Sequence, residues 1–104
     1  MSNCIHLIGH LGADPEFKIA NEKEKCRANL AVNRGFKDKT DWFILEMWNK
    51  NAVNFTELCK KGSHVYIIGS HYTDEYTTES GDKKKWSYVN VQKFTLLDKK
   101  NMEE

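Results

Sequence analysis

The side chains best placed to do chemistry in this chain are two tryptophans, Trp42 and Trp48, in the run TDWFILEMWNK from Thr40 to Lys50. The run alternates. Trp42, Ile44, Glu46 and Trp48 fall on one side, and Phe43, Leu45 and Met47 on the other. Period two over this length predicts a half-buried strand. Phe43, Leu45 and Met47 suit a core. The opposite face is unusual for a solvent face, because two indoles left in water are costly unless something covers them. That cover is either another layer of protein, including a partner subunit, or a stacked nucleobase. A second candidate group is Lys83-Lys84-Lys85 next to Trp86. Such a triplet is either a solvated hairpin tip or a clamp on a polyanionic backbone.

Other chemistries find less support. His6, His10, His64 and His71 invite a metal reading, and His6 and His10 could share a strand face. No carboxylate or thiol accompanies them at ligand spacing, so no metal site is expected. The acids Asp14, Glu16, Asp41 and Glu46 are scattered, whereas a metal-dependent nuclease needs converging carboxylates. The six glycines stand singly, and none forms a phosphate-cradling loop. The chain is therefore expected to be non-enzymatic and to carry no cofactor.

Bulk properties set the frame. A chain of 104 residues makes one domain, large enough to bury a core without disulfides or metal. Sixteen basic and fifteen acidic side chains leave a net charge of +1, so any polyanion site must come from placement of charge and not from its total. Cys4, Cys26 and Cys59 are odd in number and far apart, which excludes a disulfide framework and predicts buried free thiols in a reducing compartment. The first apolar run, Cys4 to Leu11, is broken by His6, Gly9 and His10 and lacks a basic leader, so no signal peptide is expected. No run is long enough to span a membrane.

The elements that must position the tryptophans follow from the pattern. Asn3 to Leu11 reads as a strand interrupted at Gly9. After the turn at Gly12 to Pro15, Glu16 to Ala20 continues it as a bent second half. Asn21 to Lys25 is a charged hairpin connection. Cys26 to Phe36 alternates again, with Cys26, Ala28, Leu30 and Val32 opposed to Arg27, Asn29, Ala31 and Asn33. Beyond Lys50 the period changes. Ala52, Phe55, Leu58 and Cys59 predict one face of a short helix, with Lys60 and Lys61 in its last turn and Gly62 as its C-cap. Ser63 to Thr73 and Trp86 to Asp98 are the last two strands, joined through a polar stretch that turns at Ser80-Gly81. Five strands with one helix between the third and fourth is the order of an OB-fold, an all-β, partly open barrel. The expected division is an OB domain over 1–98 and a short charged end over 99–104.

Five pieces in this order carry a family resemblance: LIGHLGADPEFK, LAVNR, TDWFILEMWNKNA, KKGSHVYIIG and YTTESGDKKK. Together they cover nearly the whole chain, which resembles bacterial-type single-stranded DNA-binding proteins. The resemblance implies an OB-fold, a homotetramer, and sequence-tolerant binding of single strands in replication, recombination or repair. It places base-stacking aromatics at Phe36, Trp42, Trp48 and Tyr76. Phosphate contacts are implied at Lys18, Arg34, Lys37, Lys50 and Lys61, and Lys83, Lys84 and Lys85 join them as the clamp described above. Two departures stand out. Tyr72, Asp74 and Glu75 occupy positions before the hairpin aromatic that are often basic in the family. The sequence also stops at Glu103-Glu104 without the family's linker and acidic tip, so partners that dock on such tails are not expected. The setting implied is cytoplasmic and nucleoid-associated, with a plastid or a phage-infected host as variants. The contrasting reading is an accessory module of a primosome-like assembly that binds protein through its aromatic face.

Overall fold

The computed structural model describes residues 3–36 and 38–98. Lys37 and the charged end over 99–104 lie outside the described residues. The elements run β1 (Ile5–Leu11), β2 (Glu16–Ala20), β3 (Lys23–Asn33), β4 (Thr40–Trp48), α1 (Asn49–Leu58), β5 (His64–Thr77) and β6 (Lys83–Leu96). β1 and β2 are the two halves of the first expected strand, separated at the predicted turn. The strands join in the order β1-β5-β6-β4-β3-β2, and β1 also pairs with β3 through His10 and Leu11. That last pairing closes the β1 end of the sheet onto its penultimate strand. With β4 and β6 parallel and the helix between β4 and β5, this is the OB-fold the strand order predicts.

Alternation decides which side of each strand is inside. Leu7 and Leu11 of β1, Cys26, Ala28 and Leu30 of β3, Leu45 and Met47 of β4, Val65 and Ile67 of β5, and Val89 and Val91 of β6 are all buried. Each set has period two, as half-buried strands require. Gly9 lies where β1 crosses β3, and a Cβ there would run into the carbonyl of Ala31. The interruption in the first strand is therefore a close approach of two backbones.

α1 closes one end of the barrel with Ala52 and Phe55, both fully buried, and the Phe55 ring meets Phe94 edge-on at 4.9 Å. A ten-residue helix is marginal by itself and is held by this docking. Its details depart from the sequence reading in three respects. The helix ends at Leu58 with Cys59 as C-cap, so Lys60 and Lys61 lie beyond its last turn. Gly62, with φ of 89°, sits in the following turn, which the Ser63 N–H closes onto the Lys60 carbonyl. Leu58 is 59% exposed and does not share the buried face with Ala52 and Phe55. Cys26 and Cys59 are buried as expected, whereas Cys4 is exposed, because it precedes β1 and never enters the barrel.

The connections set the reach of the sheet. Asn21 and Glu22, both with positive φ, make the two-residue turn between β2 and β3. The connection expected over 21–25 is thus shorter, and Lys23 to Lys25 belong to β3. β5 and β6 pair from Val65–Leu96 out to Thr77–Lys83 and form a long two-stranded arm. Its tip turns at Gly81, where φ is 90°.

A candidate nucleic-acid interface

One face of the sheet carries the aromatic and basic side chains together. The register explains how. On β3 and β4 the directly opposed pairs are Lys25–Trp48, Arg27–Glu46, Asn29–Ile44 and Ala31–Trp42. β2 adds Lys18 opposite Lys25 and Glu16 opposite Arg27. On the arm, Tyr72 opposes Tyr88, Asp74 opposes Trp86, and Tyr76 opposes Lys84. Directly opposed residues share a sheet face. Arg27 reaches from β3 to within 5.1 Å of the Trp86 ring centroid, so the barrel and arm surfaces are continuous.

The face has an open part and a closed part. Trp42 and Tyr76 are 62% and 49% exposed on it, and Phe36, 60% exposed, lies in the connection between β3 and β4, so the three rings are available to a ligand. Trp42 lies across the β1–β2 turn at Gly12, where a Cβ would come 2.6 Å from the indole. A larger residue there would push the ring or the turn aside. Between Trp42 and the arm runs a shallow groove lined by Ile44, His71, Ser87 and Tyr88. The closed part is different. Trp48 is half-buried, with the Lys25 ammonium 5.2 Å from its ring centroid. Trp86 is half-buried, with the Arg27 guanidinium 5.1 Å from its ring centroid and the Tyr88 ring stacked on it at 4.6 Å. Tyr72 continues the row at 5.9 Å from Tyr88.

A carboxylate sits at the centre of this closed part. Glu46 is 5% exposed, and a single oxygen, Oε2, accepts from Arg27 Nη2 at 3.0 Å and lies 3.5 Å from Lys25 Nζ. A buried carboxylate needs such partners, because isolating it from water would cost several kcal/mol, on the order of 3–5 if one partner were removed. At the arm, the Tyr88 hydroxyl donates to Asp74 Oδ2 at 3.1 Å. Partial burial, and then this bond, push the Tyr88 phenol above its ordinary pKa.

The remaining basic residues named from the sequence are dispersed. Lys18 belongs to the face, beside Lys25. Arg34 is engaged by Asp41 in a bidentate pair, with Nε and Nη2 each 2.9 Å from a carboxylate oxygen. The guanidinium bond holds the Asp41 carboxyl below its ordinary pKa. Lys50 is exposed in the first turn of α1, two residues after Trp48. The Lys61 N–H donates to Asp14 Oδ1 at 2.8 Å, which ties its turn to the β1–β2 loop beside Gly12. Lys84 shares the face of Tyr76 and Trp86, while Lys83 and Lys85 project from the other side of the arm. Lys37 falls outside the described residues.

Lys25, Arg27, Glu46, Trp86, Tyr88 and Tyr72 thus join the face although the sequence reading assigned them no binding role. The signal for the β6 pair was present, since Trp86 and Tyr88 alternate with Val89 and Val91. The histidines go elsewhere. His6 and His10 do share the outer face of β1, where His6 Nδ1 bonds the Tyr66 hydroxyl at 2.7 Å and His10 stacks on His64 at 4.3 Å. Among the described residues no three metal-ligating side chains converge. No helix among them is long and apolar enough to cross a membrane.

Comparison with known proteins agrees with this geometry. Residues 2–97 match the single-strand binding protein family. A Nostoc relative, "Single-stranded DNA-binding protein 1", is 37% identical over 101 residues, covering 94% of this chain and 85% of its own. A Synechocystis protein of the same name is 38% identical over 103 residues, with 94% and 85% covered. "Single-stranded DNA-binding protein" of Rickettsia typhi is 33% identical over 113 residues, covering 95% of this chain and 74% of its own.

Proposed function

We propose a function from the premise that this chain belongs to the single-strand binding protein family: it binds single-stranded DNA. The observation that carries this reading is the continuous face that gathers the rings of β4, β5 and β6 with the Lys25 and Arg27 cations of β3. Bases of any identity offer a π surface to Phe36, Trp42, Trp48 and Tyr76, so affinity is sequence-tolerant. Lys18, Lys50, Lys61 and Lys84 are the cations best placed for phosphates, with Lys83 and Lys85 at the margins, Lys37 carried by the family resemblance alone, and Arg34 available where phosphate displaces Asp41. In this reading residues 1–98 are the binding domain, a binder and not a catalyst.

The cellular role that fits is protection of unpaired DNA during replication, recombination and repair, in the cytoplasm. The contrasting reading, a protein-binding accessory module, gains no support from relatives named for DNA binding. A homotetramer is part of the proposal. It is supported by the outer face of β1, where Ile8 is 54% exposed between His6 and His10. Titration of tryptophan emission with oligo-dT at two salt concentrations tests the binding. Saturable quenching that weakens with salt is expected, and no quenching at low salt would refute it. Native mass spectrometry at micromolar concentration tests the assembly, and monomer alone would refute that part.

A further inference from the structure

The two inner tryptophans are each covered by a cation in the free protein. Lys25 lies over Trp48 and Arg27 over Trp86, at 5.2 and 5.1 Å from the ring centroids. Both cations are held by the same oxygen of Glu46, at 3.5 and 3.0 Å. The Lys25 and Arg27 side chains keep 17% and 45% of their exposure, so solvent and a ligand can still reach them, while the Glu46 side chain keeps only 6%. Tyr88 stacks on the same ring at 4.6 Å. A nucleobase that is to lie where Arg27 now lies over Trp86 must replace the guanidinium.

We propose that Trp86 is a base-stacking site closed in the free protein by Arg27, and that Glu46 is the latch holding this cap and the Lys25 cap on Trp48. The inference rests on the single-strand binding reading above. A guanidinium is planar and stacks as a base does, so it fills the place of a base in the strand's absence. The incoming strand brings both replacements at once. Its phosphates take the cations from Glu46, and its bases take the ring faces the cations leave. Glu46 competes with phosphate for two positive charges, so it lowers the number of phosphates the face can neutralise. The shared oxygen also couples the two sites, since releasing one cation removes a neighbour of the other. Among the described residues no cation caps Phe36, Trp42 or Tyr76, and these rings accept bases first.

The test uses a Trp42→Phe/Trp48→Phe double variant of the full chain, whose remaining tryptophan is Trp86. Its emission is followed against oligo-dT and against an abasic strand of equal length, while the anisotropy of the labelled strand reports binding separately. Oligo-dT should quench Trp86 as it binds, and the abasic strand should bind with little quenching. Glu46→Gln, added to this background, keeps an oxygen that can accept from Arg27 and removes the charge. It should steepen the slope of log affinity against log salt by about 0.7, the value of one further phosphate neutralised on a single strand. Saturating anisotropy with unchanged Trp86 emission would overturn the site while leaving strand binding intact. Equal quenching by the abasic strand would show displacement of Arg27 without stacking, and would also overturn it. An unchanged or shallower slope in Glu46→Gln would overturn the latch. No anisotropy change with any strand, in the variant and in the unsubstituted chain alike, would overturn the binding reading and this inference with it.

Discussion

Trp42→Ala separates a ligand platform from a packing residue, provided affinity and stability are both measured. Trp42 is 62% exposed, so about two-fifths of a ring surface of roughly 150–250 Å² is covered in the fold. That is some 60–100 Å². At about 25 cal/mol per Å² its loss costs at most roughly 1.5–2.5 kcal/mol of stability, an upper bound because unfolded chains also bury apolar surface. Both readings of this residue predict that loss, since the ring covers Gly12 in either case. They differ in affinity. A base stacked on Trp42 is worth about 1–3 kcal/mol, or roughly five- to 150-fold in Kd. The assay is anisotropy of labelled oligo-dT, at a temperature well below the melting transition of every variant. Phe55→Leu is the control. Phe55 is fully buried under α1, and the shorter side chain should cost a fraction of the about 3–5 kcal/mol of complete truncation while leaving Kd unchanged. Unchanged Kd in folded Trp42→Ala would refute stacking at this position.

Further outcomes follow from the same geometry. Asp41 is held below its ordinary pKa by Arg34, so the pair persists above the usual carboxylate range and is lost as pH falls through the depressed pKa. Asp41→Asn should reproduce at pH 7 what acid does to wild type, freeing Arg34 for phosphate and steepening the salt slope by up to about 0.7, readable by the same titration. The register on the arm separates two neighbouring acids: Asp74→Asn should strengthen oligo-dT binding, because Asp74 shares the face of Trp86, whereas Glu75→Gln should change it little. Equal effects of the two substitutions would show that the strand does not follow that face. Burial pushes the Cys59 thiol up to about 11 and raises Cys26 as well. Stability from these two groups is therefore intact below the unfolded thiol pKa of about 8.5 and declines as pH climbs toward the folded values. In a thiol-reagent assay at pH 8, Cys4 should react quickly and Cys26 and Cys59 only on unfolding.

The barrel was legible because period two is imposed by a single physical requirement. Within the barrel, β1, β3, β4, β5 and β6 each have one wet and one dry side, and residues such as Cys26, Ala28 and Leu30 announce the dry side without knowledge of their neighbours. The helix was legible in existence and less so at its end. Lys60, Lys61 and Gly62 fit a helix terminus by local rules, but the Cys59 side chain is wanted in the core. Its backbone is extended, with ψ of 150°, and that ends the helix at Leu58. Packing decided against local preference there.

The binding face was half legible, and the missing half is of one kind. Trp42 and Trp48 declare themselves because they stand on the wet side of a strand whose dry side is obvious. Trp86 and Tyr88 have the same pattern one strand later. Their partners do not. Arg27 reads as an ordinary solvent residue of β3, and Glu46 as the polar member of an apolar strand. What gives them meaning is that β4 lies between β3 and β6, an arrangement set by parallel pairing between segments some forty residues apart in sequence. A single β3 guanidinium can then reach a β4 carboxylate and a β6 indole at once. Periodicity reports which way a side chain points. It carries no information on which strand will be adjacent, and the capped half of this face depends on that adjacency.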